Sequence, residues 1–151
     1  MRSKLGLGVA AAICLVFFAA PAGAGTPSTP GAKVFFVNIK DGDTVKSPFK
    51  VEFGISGMTI AKAGDQTPGT GHHHLLIDTT ISGAALQEPI PVDAQHKHFG
   101  GGQTEATIEL PPGKHTLQLV LGDAAHTPHE PPVMSAPITV TVEASVPAAP
   151  K

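Results

Sequence analysis

The sequence predicts an all-β domain, an immunoglobulin-like β-sandwich of about seven short strands, with a small β-barrel as the alternative. Three observations carry this expectation. Apolar residues recur with period two, and no helical spacing of useful length appears. Glycine and proline, 17 and 15 of 151 residues, punctuate the chain at short intervals. The strand-like segments fit within about 110 residues, the usual length of one such sandwich.

Six strands are read directly. Residues 33–39 (KVFFVNI) are apolar on both faces and end at the Asp41-Gly42-Asp43 turn. Residues 49–56 alternate, with Phe49, Val51, Phe53 and Ile55 on one face and Lys50, Glu52 and Ser56 on the other. Residues 72–78 (HHHLLID) form the third. Residues 103–110 place Thr104, Ala106, Ile108 and Leu110 together. After Pro111-Pro112-Gly113, residues 114–121 put Leu117, Leu119 and Leu121 on one face. Residues 134–143 close the domain through Ile138, Val140 and Val142. A weaker strand is expected near residues 86–92, where Pro89 and Pro91 would confine it to an edge.

The flanks read differently. Arg2 and Lys4 precede an apolar run over residues 5–20, and Ala22-Gly23-Ala24 supplies small residues for cleavage. This is the pattern of a secretory signal peptide over residues 1–24, shorter than a membrane span needs. The expected compartment is the periplasm or the exterior, with no membrane insertion after cleavage. Residues 25–32 read as a flexible linker, 33–143 as the domain and 144–151 as a Pro/Ala tail. Cys14 falls within the leader, so the mature chain has no thiol for a disulfide or a metal.

Removing the leader takes away two basic residues. Eight then remain against 12 acidic ones, a formal charge of −4. With no basic patch and no Trp or Tyr, nucleic acid is not an expected partner. Gly100-Gly101-Gly102 lacks the Lys-Ser/Thr and the helix of a phosphate loop, and reads as a sharp bend or a close backbone approach. Asp41-Gly42-Asp43 lacks the further ligands of a calcium loop. No nucleophile or carboxylate pair stands in a catalytic setting, so a hydrolase finds no support, and a metal-dependent enzyme, the third reading, would need an open coordination position.

The chemistry concentrates in the histidines. All eight lie between positions 72 and 129: His72-His73-His74, His96 with His98, His126 with His129, and a lone His115. Residues two apart on a strand share a face about 7 Å apart, so His72 and His74 can aim at one point while His73 faces away. The Pro111-Pro112-Gly113 turn makes its flanking strands antiparallel neighbours, so His96, His98, His126 and His129 meet at one end and His115 sits at the other. Regular alternation of strand direction, including the weak strand, would bring the triplet to the same end. Imidazole suits copper or zinc, and a thioether from Met58 or Met134 would favour copper. The expected ligand set is His72, His74, His96, His98, His126 and His129. Binding would weaken as pH falls past the ordinary histidine pKa of about 6.5. Two other readings compete: histidines that brace loops in an accessory or interaction module, with an envelope protein as partner, and a proton-sensing cluster.

The segments GHHHLLID (71–78), HFGGGQTE (98–105), LPPGKHTL (110–117) and HEPPV (129–133) together resemble a family of secreted bacterial proteins known only as a domain of unknown function. The resemblance spans residues 33–143. It implies export and a compact β domain, and it brings no activity with it.

Overall fold

The computed structural model describes residues 25–144; the signal-peptide reading of residues 1–24 and the tail from 145 onward lie outside the described residues. Nine strands form: β1 (Lys33–Phe36), β2 (Thr44–Lys46), β3 (Phe49–Ser56), β4 (Thr59–Ile60), β5 (Thr70–Ile77), β6 (His96–His98), β7 (Glu105–Ile108), β8 (Gly113–Gly122) and β9 (Ile138–Glu143). They make an all-β sandwich, the class that the period-two pattern predicts. One sheet has the order β1-β3-β7. The other runs β2-β9-β8-β5-β4, with β6 also paired to β5.

The inward phase of each strand is apolar. Val34, Phe49, Val51 and Phe53 of the smaller sheet meet Leu75, Ile77, Leu117, Leu119, Leu121, Val140 and Val142 of the larger one. Removing water from a Val, Leu or Phe side chain contributes about 1.5–3 kcal/mol each, which makes this layer the main source of stability. The larger sheet is covered on its other face too. There Leu76 and Val120 pack with Ile81 and Ile90, and Leu86 and Met134 lie against them. Gly71 through Ile77 are consequently buried without a break.

Three expectations about connectivity do not hold. Residues 86–92 form no strand; a 3-10 turn occupies Gly83–Gln87, and Ile90 seals the outer cluster instead. The Pro111-Pro112-Gly113 turn does not join partners. β7 pairs with β3, whereas β8 pairs with β5 and β9, so the chain crosses between sheets there. Two successive prolines offer no N–H to a ladder, and the Leu110 N–H is taken by Ser47 Oγ at 3.0 Å. Residues 25–28 are not a loose linker. Gly25 is buried, and Ser28 N–H donates to the Glu130 carbonyl while Glu130 N–H donates to that of Thr26, each at 3.0 Å.

Candidate metal centre

β5 settles the phase of the histidine triplet. His73 alternates with Leu75 and Ile77 and therefore points between the sheets, 5.3 Å from the Phe53 ring centroid. His72 and His74 point to the opposite face. Antiparallel pairing sets His98 of β6 opposite His74, and His96 opposite Leu76. On the other side of β5, Gly122 of β8 is opposite His72. The chain after β8 then turns back, and His126 N–H donates to the Asp123 carbonyl at 2.9 Å. The groups are thus gathered around β5 itself.

His72, His98 and His126 lie close enough to hold a metal ion, with one ring nitrogen from each inside a group no wider than 4.8 Å. His74 adjoins them, its Nε2 sharing a hydrogen bond of 3.0 Å with His72 Nε2. His126 adopts a φ of 68°, a left-handed backbone that is unusual for a residue with a side chain. Its carbonyl accepts from Ile90 N–H at 2.9 Å, so the conformation is held from both sides. Two glycines leave room for the rings. A Cβ on Gly122 would stand 2.8 Å from His74 Nε2, and one on Gly100 would stand 2.3 Å from His98 Cε1. The glycine run at 100–102 is indeed a close approach, here to an imidazole.

The electrostatics favour neutral imidazoles. Burial first, then the neighbouring His98 and His126, pushes His72 down to about 4. Burial first, then His72, His98 and His126, pushes His74 to about 2, and burial followed by His126 lowers His98. Buried nitrogens at His72 Nδ1, His74 Nδ1 and His98 Nε2 have no hydrogen-bond partner among the described residues. Each such group costs about 1–3 kcal/mol if nothing engages it.

The remaining expected ligands are engaged elsewhere. His96 Nδ1 donates to Asp93 Oδ1 at 2.8 Å, and His129 Nδ1 is 3.0 Å from Thr26 Oγ1 and 3.1 Å from the Thr26 carbonyl. Neither is in the close group. Met58 packs against the inter-sheet core and Met134 against the outer apolar cluster. His115 lies at the far end of β5, where Asp78 Oδ2 accepts from its Nδ1 at 2.7 Å and the Pro111 carbonyl from its Nε2 at 2.9 Å. Filling both acceptors requires a proton on each nitrogen, hence a charged ring. Burial opposes that charge, but Asp78 and the Pro111 carbonyl outweigh it and raise His115 above its usual range.

Sequence reasoning missed the bracing partners Thr26, Asp93 and Asp123. Asp123 is buried and accepts from the N–H groups of Thr26, Ala125 and Thr127 at 2.9–3.0 Å. Its place directly after the apolar strand, two residues before Ala125, is the short-range signature of a side chain capping its own turn.

The family profile of the domain of unknown function DUF4399 matches residues 51–143, which include every histidine of the chain. The chain belongs to the DUF4399 family. Nothing among curated proteins or solved structures matches it. The DUF4399 region contains all four clustered rings, whereas Thr26, which holds His129, lies before it. Among the described residues no helix is long and apolar enough to cross a membrane.

Proposed function

We propose that this DUF4399 protein is an exported, non-enzymatic metal-binding module that takes a transition ion through His72, His98 and His126. One observation supports this reading above the rest: three imidazoles from β5, β6 and the loop after β8 converge within 4.8 Å. The lowered proton affinity of His72 and His98 suits ligation, because a metal needs the neutral ring. Copper and zinc are the ions that an all-nitrogen set without thiolate favours. The leader sequence supports an envelope or exterior location, where free metal would be met directly.

Bracing is the second reading, and it has its own support. His96, His115 and His129 each hold a loop through a specific partner. The same account does not extend to His72, His74 and His98, whose buried nitrogens lack such partners among the described residues. The deciding experiment is metal analysis of protein carrying no polyhistidine tag, followed by a thermal melt with added zinc or copper. One bound ion and a melting shift support binding. At a free ion concentration 100 times Kd, the gain is about 2.7 kcal/mol. No bound ion and no shift would leave the bracing module as the function.

A further inference from the structure

A fourth ring, His74, stands beside the three. The ring centroids of His72, His74, His98 and His126 are all near neighbours of one another. The six separations are 4.9 Å (72–74), 5.0 Å (72–98), 5.1 Å (72–126), 5.0 Å (74–98), 6.1 Å (74–126) and 4.7 Å (98–126), averaging about 5.1 Å. Four points with nearly equal mutual distances are the corners of a tetrahedron. An imidazole nitrogen sits about 2.0–2.1 Å from zinc, so the ring centre lies about 3.2 Å from the ion. Four such rings arranged tetrahedrally have centres about 5.2 Å apart. The match requires no rearrangement of β5 or β6.

One separation departs from the pattern, His74 to His126, and its cause is visible. His74 Nε2 is turned toward His72 Nε2 at 3.0 Å. Ligand nitrogens of a tetrahedral site stand about 3.3 Å apart, so these two atoms are already at nearly the right spacing. A rotation of the His74 ring away from His72 brings it toward the other two. Among the described residues no carboxylate joins the close group: Asp123 is committed to three backbone N–H groups, and Asp93 to His96.

We propose that His74 is the fourth ligand of a closed, tetrahedral four-histidine site. This deepens the three-histidine reading and rests on it. Four protein nitrogens fill every position of a tetrahedral ion, leaving none for water or substrate. The site therefore retains and releases an ion without activating water. Such geometry selects ions that accept a tetrahedron, zinc(II) or copper(I), over the tetragonal preference of copper(II) and nickel(II).

Cobalt(II), a tetrahedral stand-in for zinc with a visible spectrum, supplies the test. Tag-free protein is loaded with cobalt, its spectrum recorded, azide added, and the ion then displaced with zinc. The expected result is an intense four-coordinate spectrum that azide leaves unchanged. In His74→Gln the spectrum becomes azide-sensitive and zinc affinity falls by roughly tenfold or more. A wild-type spectrum that is five- or six-coordinate, or that shifts with azide, overturns the fourth ligand while leaving the three-histidine site standing. So does a folded His74→Gln protein that binds like wild type. Failure of cobalt and zinc to bind at all removes the three-histidine reading together with this one. If His74→Gln does not fold, the wild-type azide arm still decides the matter.

Discussion

His74 and His98 are register partners on β5 and β6, with ring centroids 5.0 Å apart. A strand pair holds them, and a strand pair does not depend on side-chain ligation to form. The loop after β8 then sets His126 4.7 Å from His98 and 5.1 Å from His72. The cluster is built on backbone geometry, and its members can be replaced singly.

Loss of a clustered ring should therefore cost binding more than it costs the fold. His72→Gln and His98→Gln are expected to weaken zinc affinity by roughly tenfold or more, about 1.4 kcal/mol each. His126→Asn is the matched variant for the loop, because Asn tolerates the left-handed backbone that His126 adopts. His96→Gln, whose ring is committed to Asp93, should bind as wild type. Titration calorimetry on the four proteins checks the ranking.

Two of the clustered rings should take up a metal without giving up a proton. With His72 held at about 4 and His74 at about 2, both are neutral from pH 7.5 down to about 5.5 and release no proton on ligation. Binding heats measured at pH 5.5 in two buffers of different ionisation enthalpy should therefore correspond to two released protons per ion at most. A gap corresponding to more than two would contradict this.

His73 makes the fold acid-sensitive. It is buried against Phe53, neither ring nitrogen has a partner among the described residues, and burial holds its pKa at about 4. The unfolded chain protonates near 6.5, so below that pH the unfolded state binds more protons. Stability is full above about 6.5 and is lost as pH falls toward 4, by about 3 kcal/mol from this residue. His73→Leu should remove that share. Denaturant unfolding at pH 7.5 and pH 4 should show the variant pulling ahead of wild type by about that amount.

The Asp78–His115 pair has the opposite sign. His115 is raised, so its contribution is present below about 6.5 and fades as pH rises through the raised value. Asp78 is lowered: burial opposes its charge, but bonds from His115 and the Thr116 N–H prevail, so its share fades once acid protonates the carboxylate. The pair is expected to contribute between about pH 4 and 6.5. Asp78→Asn should lower the melting temperature at pH 6 more than at pH 8.5.

Gly122→Ala tests how tightly the rings are cradled. Alanine within a strand is ordinarily favoured over glycine by about 0.5–1 kcal/mol. Here its methyl would stand 2.8 Å from His74 Nε2, so the variant should lose both stability and zinc affinity. A Gly122→Ala protein that is more stable and binds equally well would show that His74 has room to spare.

Much of this fold was legible because a half-buried strand writes its own pattern. The alternation at residues 49–56 gave β3 to the residue, and Leu117, Leu119 and Leu121 gave the inward face of β8. Strand partners were not legible. A turn such as Pro111-Pro112-Gly113 reverses the chain without saying which sheet receives it. β6 carries no alternating apolar signal in His-Lys-His, so its pairing with β5 had to be seen. The triplet also hides its phase, since histidine occupies both faces and both are buried. His96 and His98 share a face as their spacing requires, yet Asp93 claims one of them, a contact three residues away that no periodicity reports.

The bonds that fasten residues 25–28 also govern the order of assembly. Thr26 reaches Asp123 and His129 across 97 and 103 residues of chain. Closing so long a loop is entropically expensive, and contacts of this separation form after the local strand pairs are in place. β5, β6 and β8 can align His72, His74 and His98 early. The turn bearing His126 is closed locally by Asp123, through Ala125 and Thr127, so the tie to Thr26 is a late strap laid over a ring already in place.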